Sequence, residues 1–135
     1  MTARDSIRGL LEKLAPHWVS PPVLQPAALY LELSGDEIRR RAFLMGESGD
    51  GELCLRPDMT VPAVRAAFAL PTLPAIVAYE GAVFRQSPAG AARETEFLQL
   101  GAEWIGRGAI SLEAEAQIIA VALEGCAAAR VTPRL

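Results

Sequence analysis

Apolar residues near the start of the chain recur with the period of an α-helix. Four of them follow the i, i+3, i+4 and i+7 spacing of a helix with one apolar face: Ile7, Leu10, Leu11 and Leu14. The pattern predicts a helix over residues 5–15, and Pro16 is predicted to end it because proline cannot continue the hydrogen-bond ladder. The three prolines between residues 19 and 26 then favour an extended chain.

The next segment has the pattern of a short helix followed by a hairpin. Ser34 and Glu37 have the spacing of a capping box, so a short helix is expected to begin there. An Asp-Gly dipeptide at residues 50–51 lies between two short apolar segments, residues 43–45 and 53–55. This arrangement is typical of two antiparallel strands joined by a tight turn.

The second half of the chain has the pattern of a helix, two strands and a helix. Thr60 is expected to cap the first of these helices, with Pro62 in its first turn, where the missing N–H costs little. The apolar segment AIVAYEGAVFR predicts one strand or a pair of strands bent at Gly81, and EFLQLGAEWIG predicts another strand. Ser111 is expected to cap a last helix that runs to about Ala129. This order predicts an α+β fold with a mostly antiparallel sheet flanked by helices, in one domain over residues 1–135.

Composition and charge narrow the class of protein. The chain is 51% hydrophobic and 21% charged, which is typical of a globular domain, and its 135 residues suffice for an independent core. The net charge of −3 gives no basic footprint, so no nucleic-acid partner is expected. No apolar segment reaches the roughly 18 residues of a membrane span, and no membrane association is expected. The two cysteines lack metal spacing and the sequence has no signal peptide, so we expect a cytoplasmic protein with reduced thiols and without metal or cofactor.

The last predicted strand carries two polar residues where a core strand would carry aliphatic ones. Side chains alternate across a strand, so Gln99 and Glu103 share a face, with Gly101 between them as an open floor for a ligand. The simplest alternative is that this face is exposed to solvent. Phe97 and Ile105 lie on the same face, however, and a carboxylate beside apolar groups needs a cation or hydrogen bonds.

Two further polar positions admit both a structural and a functional interpretation. Arg85 ends the preceding strand and could pair with Glu94 or Glu96 across the hairpin, or it could bind a carboxylate or phosphate. Asp58 and Thr60 lie where a strand passes into a helix. They could simply cap that helix, or they could belong to a ligand site at its start.

Taken together, the segments LCLRPDMTVPAVR and YEGAVFRQSPAGAARETEFLQLGAEWIG resemble the core of the histidyl-tRNA synthetases, which have the class II aminoacyl-tRNA synthetase fold. The resemblance covers nearly the whole chain, from Ile7 to Ala129. It is closer to a non-catalytic branch, the regulatory subunits of ATP phosphoribosyltransferase. Those subunits act with a short-form catalytic subunit in the first step of histidine biosynthesis.

The resemblance implies a histidine site. In the synthetases, the positions that match Asp58 and Thr60 bind the amino group, and those that match Gln99 and Glu103 also hold the amino acid. The position that matches Arg85 contacts the carboxylate. The chemistry is consistent, because an ammonium group is bound by carboxylates and oxygen acceptors and a carboxylate is bound by arginine.

Differences from the synthetase pattern favour the regulatory branch. The chain reads RPDMTVP where synthetases usually read RPEGTA, and Ser87 stands where they have an acidic residue that holds ATP. The loop QSPAGAARET offers Arg93 alone among basic residues, with Thr95 where another arginine is expected. The resemblance therefore implies a regulatory subunit that is not an enzyme. The alternatives are a histidyl-tRNA synthetase or fragment that activates histidine with ATP, and a stand-alone amino-acid-binding module.

The family core continues beyond the point where this sequence stops. Its glycine-rich final motif has no match before Leu135, so a truncated core is expected. Such a core would discriminate side chains weakly and would expose a sheet edge that favours association. The expected partners are histidine, a short-form catalytic subunit and a second copy, as a homodimer within a hetero-oligomer. His17 and Pro22 are expected near that dimer interface.

Overall fold

The structure, a computed structural model, describes residues 2–33, 36–49 and 51–133. Within these residues the chain forms five helices and six strands. The helices are α1 (Ala3–Glu12), α2 (Ala27–Leu33), α3 (Asp36–Arg41), α4 (Thr60–Phe68) and α5 (Leu112–Ala128). The strands are β1 (His17–Val19), β2 (Leu24–Pro26), β3 (Phe43–Ser48), β4 (Gly51–Leu55), β5 (Ala75–Phe84) and β6 (Glu96–Ile105).

The strands form two three-stranded sheets. In the first sheet β5 is central, parallel to β1 and antiparallel to β6. In the second sheet β4 is central and antiparallel to both β2 and β3. Among the described residues every pairing except β1–β5 is antiparallel, which confirms the predicted α+β fold with a mostly antiparallel arrangement flanked by helices. No helix in the described part of the chain is long and apolar enough to cross a membrane.

The long β5–β6 hairpin has two faces that pack against different helices. On one face, helix α4 and the residue before it bury a core cluster with β5: Met59, Ala63, Ala67, Val77, Tyr79 and Val83. Phe97 and Ile105 of β6 pack against the same cluster. Helices α1 and α5 lie against the opposite face, where Arg8 of α1 forms an ion pair of 2.7 Å with Glu80 of β5. The candidate site lies on the α4 face.

Helix α1 begins and ends earlier than the apolar spacing predicted. Thr2 caps it in a capping box: the Thr2 hydroxyl accepts from the Asp5 N–H at 3.2 Å, and the Asp5 carboxylate accepts from the Thr2 N–H at 2.9 Å. The helix ends at Glu12. The apolar spacing continued to Leu14 because one further turn follows, in which the Leu14 N–H donates to the carbonyl of Leu11 at 3.0 Å.

Most of the other predicted helices and strands are present, although some begin or end at residues other than those predicted. The β3–β4 hairpin and the short helix α3 are both present. Ser34, which was expected to cap the helix, and Asp50, which was expected to form the hairpin turn, lie outside the described residues. Ser111 caps α5 as predicted and accepts from the Ala114 N–H at 3.2 Å. Helix α2 was not predicted. It begins directly after Pro26 and buries Tyr30 beside Cys54 in a second core cluster.

Candidate functional site

The connecting segment, residues 56–60, runs from the end of β4 to the first residue of α4 and lies against the face of the β5–β6 hairpin. Two of the residues singled out in the sequence hold its backbone in place. Nε of Arg85 donates to the carbonyl of Pro57 at 2.7 Å, and Oε1 of Gln99 accepts from the Met59 N–H at 2.9 Å. The structure therefore brings the ends of both strands to the connecting segment that carries Asp58 and Thr60.

Gln99 and Glu103 do not lie on a solvent face, so that alternative is wrong. Both side chains are half-buried, on the strand face that packs against the α4 core. Oε1 of Glu103 accepts a hydrogen bond of 3.0 Å from the hydroxyl of Tyr79. Hydrogen bonding thus offsets part of the cost of removing these two polar groups from water.

The expectation that Gly101 leaves an open floor is also wrong. A Cβ at this position would lie 2.8 Å from the hydroxyl oxygen and 3.0 Å from Cζ of Tyr79. The phenol of Tyr79 therefore covers Gly101, its opposite residue in the β5–β6 register, and reaches along the strand to Glu103. Glycine is needed here because the ring lies directly on the backbone.

Tyr79 is a neighbour of the candidate site that the sequence did not single out. Burial is the first cause that raises the pKa of its phenol above the ordinary value, and the charge of Glu103 is the second. A hydrogen bond with the Thr60 side chain acts in the opposite direction, and Asp58 contributes a smaller upward effect. The phenol is therefore neutral when it donates to Glu103. Strand alternation puts Tyr79 and Gly81 on one face of β5, and that signal could have pointed to Tyr79, but its position opposite Gly101 follows only from the β5–β6 register.

Thr60 does not cap helix α4, contrary to the prediction. Met59 is the N-cap residue and makes no side-chain cap bond, while Thr60 is the first residue of the helix and is exposed. Oδ1 of Asp58 instead accepts from the Val61 N–H at 3.3 Å. The structural interpretation of Asp58 thus holds in part, and its second carboxylate oxygen makes no recorded hydrogen bond within the described chain.

Arg85 does not pair with Glu94 or Glu96. Among the described residues no carboxylate lies within 4.0 Å of its guanidinium, which instead stacks over the ring of Phe97 at 5.3 Å. With Nε engaged by the carbonyl of Pro57, the remaining guanidinium donors make no hydrogen bond to any residue that the structure describes. Arg85 is therefore fixed in position and can still bind an anion.

Unpaired charges of both signs surround the connecting segment. Within the described chain, neither the carboxylates of Asp58 and Glu103 nor the guanidiniums of Arg56 and Arg85 belong to an ion pair. The ion pairs in the described chain instead join arginines of α1 to Glu80, or join two residues of the same helix in α1 and in α3. A group that carries one positive and one negative charge could satisfy both sets of groups.

No metal centre accompanies this arrangement in the described residues, where no group of three or more His, Cys, Asp or Glu side chains is placed to hold an ion. His17 is exposed at the start of β1. An apolar cavity of about 460 Å³ lies between the β5–β6 hairpin and the start of α5, lined in part by Pro74, Ile76 and Trp104. None of the five predicted site residues lines this cavity.

Comparison with known proteins gives the family. The family model of histidyl-tRNA synthetase matches residues 2–134. The ATP phosphoribosyltransferase regulatory subunits of Brucella anthropi and Brucella ovis are each 42% identical to this chain over 103 residues, or 76% of the chain. The chain spans 27% of the length of each of these relatives.

Solved structures give the same fold. An ATP phosphoribosyltransferase regulatory subunit/histidyl-tRNA synthetase from Bacillus halodurans superposes with a TM-score of 0.75 at 25% identity, covering 96% of this chain and 34% of the other. A histidyl-tRNA synthetase from a Nostoc species superposes with a TM-score of 0.70 at 24% identity, covering 93% of this chain and 29% of the other. These likenesses confirm the class II synthetase-like fold that the sequence motifs predicted.

Proposed function

The chain belongs to the histidyl-tRNA synthetase family, and from that premise we propose that it is a histidine-binding domain of an ATP phosphoribosyltransferase regulatory subunit. In this proposal histidine is the ligand of Asp58, Thr60, Arg85, Gln99 and Glu103. The domain performs no chemistry of its own and changes the activity of a separate, short-form catalytic subunit.

The arrangement of unpaired charges is the observation that carries the proposal. Asp58 and Glu103 both lack a cation partner within the described chain, and the charge of each acts on the phenol of Tyr79. Arg85 donates to the carbonyl of Pro57, the residue directly before Asp58. An α-amino acid carries an ammonium group and a carboxylate on one carbon, and it could therefore bind the carboxylates through one group and Arg85 through the other.

The regulatory role is supported by the relatives and by the loop between the long strands. The curated relatives at 42% identity are named regulatory subunits. In this chain the loop of residues 86–95 carries a single basic residue, Arg93, which is exposed. Adenylation needs cations that stabilise the charge of the transferring phosphates, and this loop supplies few of them.

Co-assembly with a short-form catalytic subunit tests the partner half of the proposal. We expect the chain to co-elute with that subunit in size-exclusion chromatography with light scattering, and histidine to change the phosphoribosyltransferase activity of the mixture. The Asp58→Asn variant should still co-elute but should no longer respond to histidine. A chain that neither co-elutes nor alters activity would contradict the regulatory role.

Histidine-dependent exchange between ATP and pyrophosphate tests the alternative, a synthetase or synthetase fragment. We expect no exchange above the background of a sample without protein. Exchange that depends on histidine and is lost in Arg85→Met would replace the regulatory proposal with the enzymatic one.

A further inference from the structure

Arg56 is a buried arginine without a counter-charge. Arg56 is 6% exposed to solvent. Among the described residues no carboxylate lies within 4.0 Å of its guanidinium. Burial lowers the pKa of this guanidinium, which shows the cost of its position. A charge buried without a partner is expensive, so its presence at the start of the connecting segment calls for a reason.

The guanidinium joins two parts of the chain that are distant in sequence. Nε donates to the carbonyl of Ala82 in β5 at 2.8 Å, and Nη1 donates to the carbonyl of Pro21, between β1 and β2, at 2.6 Å. The backbone of Arg56 is held as well, because its N–H donates to the Val23 carbonyl and its own carbonyl accepts from the Phe84 N–H, each at 3.0 Å. Both sheets therefore converge on this residue.

Gly81 provides the space in which the guanidinium lies. A Cβ at Gly81 would overlap Nη2 of Arg56 and would lie 3.2 Å from Cζ of the same guanidinium. It would also lie 3.5 Å from the terminal methyl of Met59. In the β5–β6 register Gly81 is opposite Gln99, the residue that accepts from the Met59 N–H. The Arg56 side chain thus lies on the same strand face as Gln99, directly beneath the connecting segment.

We propose that Arg56, seated over Gly81, is the positioning residue that sets Asp58 and Thr60 against Gln99 and Glu103. The inference deepens the proposed function, because it assigns the preorganisation of the same histidine site. The planar fork of arginine can donate to the Ala82 and Pro21 carbonyls together, whereas the single ammonium of a lysine cannot hold both at the same geometry. Loss of the fork frees residues 57–60 to move away from β6.

A purely structural role is the competing explanation, and it makes a different prediction. If Arg56 only stabilised the core, its loss would lower the melting temperature. Protection of amides from exchange would then fall throughout the chain by an amount that matches the lost stability, and ligand affinity would fall no further than that. A positioning role predicts a local effect at the Met59 amide, whose N–H bonds to Gln99, and at the Val61 amide, whose N–H bonds to Asp58.

Amide hydrogen exchange in the free chain tests the proposal without any ligand. We expect exchange at Met59 and Val61 to accelerate about tenfold or more in Arg56→Lys and in Gly81→Ala, which keeps the arginine and its charge. The Ala114 amide, capped by Ser111 on α5, should be unaffected. Gly9→Ala is the matched control, because nothing lies within 4 Å of a Cβ there. Exchange at Met59 as slow as in the original chain, in either folded variant, overturns the proposal.

Histidine titration of the same variants supplies the second readout. We expect the dissociation constant to rise about tenfold or more in both variants. It should stay unchanged in Leu11→Ala, which truncates a buried side chain of α1 on the opposite side of the β5–β6 hairpin. Equal weakening in Leu11→Ala would reduce Arg56 to a core residue and contradict the positioning role. If the original chain does not bind histidine, the proposed function fails, while the exchange experiment still decides the role of Arg56.

Discussion

The hydroxyl of Tyr79 in β5 donates a hydrogen bond of 3.0 Å to Oε1 of Glu103 in β6. This bond crosses Gly101, whose missing side chain leaves room for the phenol ring. Glu103 is therefore oriented by a neutral donor and keeps its charge uncompensated by any described cation. A carboxylate held in this way is prepared for an ammonium group of a ligand.

Replacing Tyr79 with phenylalanine should weaken histidine binding and lower stability together. Hydrogen bonds to charged groups contribute about 1.5–3 kcal/mol, so we expect the free energy of unfolding to fall by about 2 kcal/mol in urea titrations. Histidine affinity should fall about tenfold in calorimetry, because Glu103 loses its orientation.

Tyr30→Phe is the matched control for this change. Tyr30 is also a buried tyrosine, but its hydroxyl donates a long bond of 3.4 Å to the backbone carbonyl of Asp58 and does not touch Glu103. Its loss should change histidine affinity by less than about twofold. A Tyr79→Phe variant that binds histidine as tightly as Tyr30→Phe would contradict the assigned role of the hydroxyl.

The position of Tyr79 shows which part of the candidate site could not be predicted from the sequence. Alternation along β6 placed Gln99 and Glu103 on one face correctly, because that depends on the two-residue period alone. It could not identify what lay over Gly101, because the residue opposite a strand position depends on the hairpin register. The loop of residues 85–95 is too long for a two-residue hairpin turn, which would have fixed this register.

Alanine at Gly101 should destabilise the chain, because its Cβ would lie 2.8 Å from the Tyr79 hydroxyl. Either the ring or the strand must move, and such overpacking costs about 1–3 kcal/mol. Urea titrations measure the loss. The control is Gly9→Ala in helix α1, where a Cβ meets nothing within 4 Å and should stabilise the chain by about 0.5–1 kcal/mol. A Gly101→Ala variant as stable as Gly9→Ala would show that the phenol does not cover this glycine.

Thr60 and Ser111, the two residues that the sequence predicted as helix caps, should contribute differently to stability. Ser111→Ala removes a bond to the Ala114 N–H and should lower the free energy of unfolding by about 1 kcal/mol. Thr60→Ala removes no cap bond, only an exposed side chain beside Tyr79, and should therefore cost less than Ser111→Ala. Thermal and urea unfolding of both variants test the difference. An equal loss in the two variants would restore Thr60 as the cap of α4.

The error at Thr60 has a physical origin. Asp58 and Thr60 are both good capping residues, and a sequence does not define a helix start to better than one or two residues. Similarly, α2 follows three prolines that favour extended chain, and the burial of Tyr30 against Cys54 overrides that local preference. Tertiary contacts decided both cases.

Alkaline pH should destabilise the fold through Cys54. Burial, with a smaller effect of the Glu52 charge, raises the pKa of this thiol to about 11 from an ordinary value of 9.0. The folded chain holds the thiol proton more tightly than the unfolded chain does. The resulting stability is fully present below pH 9, and it is lost as pH rises from about 9 to about 11, by an amount on the order of 2 kcal/mol.

Urea titrations across this pH range test the contribution of Cys54. Cys54→Ala should flatten the decline between pH 9 and pH 11, and Cys126→Ala, which changes a half-buried cysteine, should not. The pKa values of Tyr30 and Tyr79 are also raised, chiefly by burial, so a further decline above about pH 10 should remain in both variants. An unchanged slope in Cys54→Ala would rule out the thiol as its source.

The most direct test of the histidine site is a calorimetric titration with three ligands that differ at one end. Histidine carries both charged groups, histamine lacks the carboxylate, and imidazolelactate has a hydroxyl in place of the amine. We predict saturable binding of histidine, and binding about tenfold weaker or worse for each analogue, because each leaves Arg85 or the carboxylates of Asp58 and Glu103 unpaired. Histamine that binds as tightly as histidine, or no heat with histidine at all, would contradict the account.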